Sequence, residues 1–284
     1  MLCPKCKEQL MKDGAVYSCP NGHTYDISKE GYTNLLLVNK KNTQFPGDNL
    51  ELVNARFKFL NKGFYEDLAD MIYKIIKERK KDKMTILDAG CGVGYYSKYL
   101  NTYLKDRVKI TGIDISKFAI QKAAKYDKKT NYFVGSVFDL PVESESQDIV
   151  LNIFSPKSCE EFSRVLKLDG YLIQVIPQAY HLKELKEIVY GSDAYLNKLD
   201  YDYDGFKIQM SEELLYEKKL NNEDLISLFS MTPYLYKTRP SDIEKLKDLK
   251  EVNMTMNFEI VVWRKEEWIN LRNSKRLSSR KAHR

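Results

Sequence analysis

Between Thr85 and Ser116 the sequence runs "TILDAGCGVGYYSKYL" and then, after a charged turn, "KITGIDIS". An apolar strand, a loop carrying Gly90, Gly92 and Gly94, a helix onset and a second strand closing on Asp114 leave few folds open. Glycines there let the backbone turn sharply and approach a ligand closely. An acid at the end of the next strand, twenty residues after Gly94, can take both hydroxyls of a ribose. The loop is G-x-G-x-G rather than the dinucleotide G-x-G-x-x-G, and no Walker lysine follows it.

The same rhythm continues downstream. "FAIQKAAKY" reads as a helix, "NYFVGS" as a strand, "QDIVLNIFSP" as a strand, and "EEFSRVL" as a helix. A Lys-Leu-Asp-Gly turn then leads into the strand "GYLIQVIP". Strands alternating with helices predict an α/β fold whose parallel sheet is covered on both faces. Upstream, helical patterns run over Leu50–Asn61 and Tyr65–Lys80. Beyond His181 the pattern predicts helical segments, an acidic Tyr/Asp stretch at Asp200–Gly205 and a late apolar strand at Phe258–Arg264.

A different chemistry opens the chain. Cys3-x2-Cys6 and Cys19-x3-His23 are two chelating knuckles separated by twelve residues, enough for a hairpin to bring them together. Three soft thiolates and an imidazole favour Zn2+, and a closed four-ligand set leaves no position for water, so the ion is read as structural. A short ribbon of this kind cannot bury a core of its own and is stabilised by its metal. Lys5, Lys7, Lys12, Lys29, Lys40 and Lys41, grouped with Tyr17, Tyr25 and Tyr32, offer cations for phosphates and rings for unstacked bases.

Bulk properties narrow the class. At 43% hydrophobic and 30% charged residues the chain is that of a soluble globular protein. The absence of a long apolar run or a signal-peptide pattern, together with sparing cysteine use, predicts a cytoplasmic protein without a membrane partner. The net charge of +6 is matched by six cations after Ile269, from Arg272 to Arg284. The body up to Trp268 is therefore formally neutral, and affinity for nucleic acid must come from local patches. The tail reads either as a solvated terminus or as an RNA-touching arm. Cys91 is read as a small residue in the loop and Cys159 as a buried thiol.

The glycine loop and Asp114 resemble those of the class I S-adenosylmethionine-dependent methyltransferases, with a Rossmann-like sheet. The resemblance implies that Gly90, Gly92 and Val93 lie along the methionine portion of the cofactor, that Asp114 holds the ribose, and that Ser136 and Val137 bracket the adenine. A closer resemblance runs from Cys3 to about Arg264. "CPKCKEQL…YSCPNGHTYDISKEGYTNLL", "PGD", "ARFKFLNKGFY", "QAYHLKELK" and "MTPYLYKTRP" are similar to the RlmA family of 23S ribosomal RNA guanine-N1 methyltransferases. That family implies zinc at Cys3, Cys6, Cys19 and His23, and cofactor contacts from Tyr65, Gly92, Val93 and His181. It also implies methylation of a guanine in a 23S rRNA hairpin loop, with the ribbon assisting RNA recognition. Composition leans toward the Gram-positive-type subgroup linked to macrolide sensitivity.

The corresponding organisation is a zinc ribbon over 1–39, a helical connector over 40–83, a methyltransferase domain over 84–264 and a basic tail over 265–284. A modular reading of it predicts that removing the ribbon abolishes RNA methylation and leaves cofactor binding intact. A homodimer is compatible with the wide groove an RNA hairpin needs. Asn152–Pro156 follows the fourth strand beside the expected methyl position, without the Asp/Asn-Pro-Pro-aromatic signature of exocyclic-amine transfer. His181 is a candidate base by chemistry, yet no residue is assigned as the catalytic base. A small-molecule methyltransferase and a non-catalytic RNA-binding protein are the alternatives.

Overall fold

The structure is a computed structural model that describes residues 1–37, 46–79, 81–191, 205–236 and 238–266. The opening residues form a three-stranded antiparallel ribbon: β1 (Met11–Asp13), β2 (Val16–Ser18) and β3 (Thr24–Asp26). Next in chain order come β4 (Tyr32–Asn34), α1 (Leu50–Asn61), α2 (Glu66–Lys77), β5 (Met84–Ala89) and α3 (Tyr95–Leu104). β6 (Val108–Asp114), α4 (Lys117–Tyr126), β7 (Asn131–Val134), β8 (Gln147–Ile153) and α5 (Cys159–Val165) follow. The chain closes with β9 (Leu166–Pro177), α6 (Lys183–Tyr190), β10 (Phe206–Asn221), α7 (Asn222–Ser230), α8 (Pro240–Lys247) and β11 (Glu251–Lys265).

Eight strands make one sheet in the order β10-β11-β9-β8-β5-β6-β7-β4. From β4 to β9 every pairing is parallel, as the strand–helix rhythm predicts. β11 and β10 run antiparallel, so the expected parallel sheet is a mixed one. The central strands are apolar on both faces because both are covered. Ile86, Ile149, Leu151 and Ile260 enter a core with α2, α3, α6 and α7; Leu87, Val150 and Val261 enter a second core behind them. The strand order reverses at β5 and β8, and ligands of open α/β sheets bind in the crevice at such a switch point.

Two local expectations are corrected. The Lys-Leu-Asp-Gly turn does not precede β9 but lies within it. Asp169 adopts φ 63°, and the register with β8 slips between Gln147 and Ile149, so the extra residues bulge out of a continuous strand. The region beyond His181 also holds β10, which the helical reading missed. β10 is an edge strand, exposed along most of its length, and its charges protect that edge rather than marking a buried face.

The ribbon is built into the sheet rather than hung from it. β4 pairs with β7, Tyr32 opposite Tyr132 and Asn34 opposite Val134, adding an eighth strand at the edge. The connection from β7 to β8, residues 135–146, contains no helix. On that side of the sheet the ribbon's Cys3, Leu10 and Cys19 share the second core with Phe133, Val137, Leu140 and Val142. The main-chain amide of Leu2 donates to the Pro141 carbonyl at 2.9 Å, and the Tyr17 ring lies 5.7 Å from that of Phe133. Lys7 pairs with Asp139 at 2.7 Å.

No helix among the described residues is long and apolar enough to cross a membrane. The basic run after Ile269, Asp200–Asp204, Lys40 and Lys41 lie outside the described residues.

Candidate metal centre and cofactor crevice

The two knuckles converge. Donor atoms of Cys3, Cys6, Cys19 and His23 all lie within 4.8 Å of one another. Cys6 Sγ and Cys19 Sγ are 3.6 Å apart, and His23 Nδ1 lies 3.5 Å from Cys3 Sγ and 3.4 Å from Cys19 Sγ. Metal–sulfur bonds of about 2.3 Å and a metal–nitrogen bond of about 2.05 Å in a tetrahedron require ligand separations of roughly 3.5–3.8 Å. These three separations are close to tetrahedral values and the others stay within 4.8 Å, so small side-chain shifts close the set on Zn2+. Turn geometry supports the fit: the Lys7 amide donates to the Cys3 carbonyl and the Gly22 amide to the Cys19 carbonyl. Tyr25 Oη sits 3.2 Å from Cys3 Sγ, placed to donate to a metal-bound thiolate. Cys3 and Cys19 are buried, and the closed set suits a structural ion.

The second constellation surrounds the glycine loop after β5. Main-chain amides of Gly90 and Cys91 donate to the Ile113 carbonyl at 2.8 and 3.0 Å, tying the loop to the end of β6. Gly92 donates its amide to Asp114 Oδ2 at 2.9 Å, and Ser116 donates to Oδ1 at 2.7 Å. Asp114 thus has both oxygens oriented by backbone donors at the crevice. Burial pushes the Asp114 carboxyl above the usual carboxylate range, opposed by the Ser116 and Gly92 amides and by the Arg56 guanidinium, with the nearby Asp48 adding to the rise. The three glycines differ in what they need. A Cβ on Gly90 would overlap Ser155, and one on Gly94 would overlap the Tyr132 hydroxyl; at Gly92 it would meet only open space. The backbone therefore leaves room above Gly92.

Across the crevice stands an aromatic wall. Tyr65 caps α2 and is buried, with its hydroxyl 3.4 Å from His181 Nε2. The Asn257 amide donates to His181 Nδ1 at 3.3 Å. The Nδ1 lone pair is then occupied, and the ring carries its proton on Nε2, facing Tyr65. Burial, reinforced by Lys186, lowers His181 to about 3, so the imidazole is neutral at physiological pH. Phe258 packs against Tyr65, His181 and Phe154, with centroids 5.1, 4.5 and 5.4 Å apart.

Of the residues expected at the cofactor, Gly90, Gly92, Val93 and Asp114 lie on the loop and the adjoining strand end. Tyr65 and His181 meet each other in the wall. Ser136 and Val137 follow β7 as expected, but the Val137 side chain is buried in the second core, leaving its main chain for any ligand. Ser136 Oγ accepts the Phe138 amide at 3.2 Å. Sequence reasoning gave no role to Asp48 and Arg56, which pair with each other; the Asp48 carbonyl also accepts Ser116 Oγ–H at 2.8 Å. The "PGD" motif marked that segment without revealing that it folds over the Asp114 end of the crevice.

Comparison with known proteins accords with both constellations. A family profile described as the RlmA N-terminal zinc ribbon matches residues 1–44, and a methyltransferase-domain profile matches residues 80–226. A Bacillus subtilis protein, YxjB, whose name assigns it provisionally as a 23S rRNA (guanine-N(1)-)-methyltransferase, is 32% identical over 92% of this chain and 95% of its own length. The 23S rRNA (guanine(748)-N(1))-methyltransferase of Streptomyces fradiae is 26% identical over 91% of this chain and 95% of its own. A third relative, from Micromonospora griseorubida and likewise provisionally named as a 23S rRNA (guanine-N(1)-)-methyltransferase, is 30% identical over 64% of this chain and 67% of its own. A zinc ribbon with four converging donors, fused to the glycine-loop crevice of a methyltransferase fold, joins this likeness over nearly the whole length, and the chain belongs to the RlmA family of zinc-ribbon, S-adenosylmethionine-dependent methyltransferases.

Proposed function

We propose that this protein methylates N1 of a guanine in a hairpin loop of 23S ribosomal RNA, in the cytoplasm, as one of the Gram-positive-type subgroup linked to macrolide sensitivity. The observation that carries the reading is the likeness to YxjB, which spans ribbon and methyltransferase domain alike. In this reading residues 1–39 recognise RNA, 40–83 connect, 84–264 perform the transfer and 265–284 form a basic tail.

When bound, S-adenosylmethionine supplies an electrophilic methyl group for in-line displacement by guanine N1. The chain's own residues bind, orient and exclude water. Asp114 takes the ribose hydroxyls, its carboxylate held in place by the Gly92 and Ser116 amides. Gly90, Gly92 and Val93 line the methionine portion, while Ser136 and the Val137 main chain border the adenine. Tyr65 and neutral His181 close the opposite side as a dry wall, with His181 Nε2–H directed at the Tyr65 hydroxyl. Held that way, His181 is a cofactor-side contact and not the group that removes the N1 proton. Zn2+ on Cys3, Cys6, Cys19 and His23 fixes the shape of the ribbon.

Incubation with labelled cofactor and unmodified 23S RNA, followed by primer extension, tests the reading. N1-methylguanine blocks the Watson–Crick edge, so a stop at one loop guanine is expected, and its position assigns the subgroup. Transfer to small molecules alone, or RNA binding without turnover, would replace it with one of the two other classes.

A further inference from the structure

We propose that Phe154 is the platform on which the target guanine stacks during transfer, an inference that rests on the functional reading above. Phe154 follows β8, the central strand beside β5 and its glycine loop. Its neighbours Asn152 and Ile153 are buried, yet the Phe154 side chain is among the exposed large apolar groups, at 45%. Its backbone is left-handed, φ 53°, a conformation that a bulky L-residue adopts only when the surroundings impose it.

The imposing contacts are all present. Ser155 Oγ donates to the Ala89 carbonyl at 2.6 Å, pinning the turn to the end of β5. Asn152 Nδ2 donates to Ser155 Oγ at 2.6 Å, and to the Ser155 and Pro156 carbonyls at 3.3 and 3.1 Å. Gly90 meets the same serine so closely that a Cβ there would overlap it. The glycine loop and the Phe154 turn are therefore in contact, and the ring stands at the crevice rather than on a remote surface.

Part of the ring packs on the wall, 6.1 Å from Tyr65 and 5.4 Å from Phe258 between centroids. Tyr65 and Phe258 are buried, so they fix the ring without covering the remainder. An immobilised aromatic group, strained into exposure beside the methyl-transfer crevice, is suited to a flat apolar partner. A guanine drawn out of a hairpin loop presents that surface, and it must leave its stack for N1 to reach a methyl group. Stacking tolerates any base, so Phe154 would position the guanine while other contacts read it.

The test uses the full-length zinc-loaded protein and a 23S hairpin transcript that the wild type methylates. Phe154→Ala should raise the KM for RNA, or lower the single-turnover rate, by roughly 10- to 100-fold. Affinity for S-adenosylhomocysteine and thermal stability should stay within about twofold and a few degrees of wild type. Phe154→Trp should recover most of the lost rate and Phe154→Leu should not, which separates ring stacking from bulk. An Ala variant with wild-type RNA kinetics overturns the proposal, as does a loss of cofactor affinity equal to the loss of rate. A wild type that methylates no 23S hairpin removes the functional reading instead, and this inference with it.

Discussion

Asp88 and His181 are both buried at the crevice, and burial moves them in opposite directions because each favours its neutral form. Asp88 is pushed up to about 7 by burial, opposed by the hydrogen bond from Ser97 Oγ and reinforced by Asp114. Its carboxyl therefore binds its proton more tightly folded than unfolded. Stability contributed by the neutral form is present below an unfolded value near 3.8 and is lost as pH rises toward about 7. Asp88→Asn keeps an acceptor for Ser97 and removes the titration. In melts of the cofactor-free protein it should gain on wild type between pH 4.5 and pH 8, by on the order of 3 kcal/mol. Equal melting differences at both pH values would contradict the assignment. His181 behaves conversely: its neutral form contributes stability above an unfolded value near 6.5, lost as pH falls toward about 3. Transferase activity should consequently show no limb near pH 6.5 that depends on His181. His181→Gln should weaken cofactor binding without changing the shape of the pH–rate profile. The metal ligands at this scale were legible in sequence because chelation fixes spacing. Phe154 was not, because its strained φ is imposed by a hydrogen bond between Ser155 and Ala89, 66 residues apart.

The elements themselves follow the sequence where periodicity and burial agree. α1 begins at Leu50 because Asn49 Oδ1 accepts the Leu52 amide, and α2 buries Leu68, Ile72, Ile75 and Ile76 on one face. β10 escaped because an exposed edge strand has no buried face to impose a run of apolar residues. The antiparallel pairing of β11 escaped for another reason: its apolar run is the same whichever way the strand points. The glycine loop is the element whose chemistry was most legible, and its members should respond differently to one methyl group. Gly90, at φ 85° and against Ser155, has no room; Gly90→Ala should lower stability by about 1–3 kcal/mol as well as impair cofactor binding. Gly92→Ala enters open space, at the smaller strain of a left-handed alanine near 1 kcal/mol. It should melt closer to wild type while its affinity for S-adenosylhomocysteine falls by about tenfold or more. Calorimetric binding beside thermal melts checks the pair. Equal losses of stability would mean that the Ser155 contact does not govern the loop.

At the scale of the molecule the ribbon and the methyltransferase sheet share a core, which changes what metal removal should do. The sequence suggested separable modules because the knuckles and the glycine loop are far apart and each motif is complete in itself. The fold joins them at the helix-free connection from β7 to β8, where residues 135–146 carry Ser136 and Val137. Ribbon residues Cys3, Leu10 and Cys19 pack with Val137, Leu140 and Val142 of that loop, and Leu2 bonds to Pro141. The Lys7–Asp139 pair is half-exposed on the lysine side and adds little. The apolar contact and the β4–β7 pairing hold the loop proposed above to border the adenine. A ribbon of three-residue strands keeps its shape through its metal. Chelation should therefore lower the melting temperature and weaken S-adenosylhomocysteine binding several-fold, before any RNA is present. Leu10→Ala, which removes buried ribbon surface without touching a ligand, should cost about 2–3 kcal/mol and shift cofactor affinity the same way while zinc content stays stoichiometric. Titration calorimetry with and without chelator, with zinc measured on the same samples, decides between the two pictures. If metal-free protein binds the cofactor product as tightly as zinc-loaded protein, the modules are separable and the shared core is only a seam. If affinity falls with the metal and with Leu10, the ribbon supports the cofactor pocket from behind.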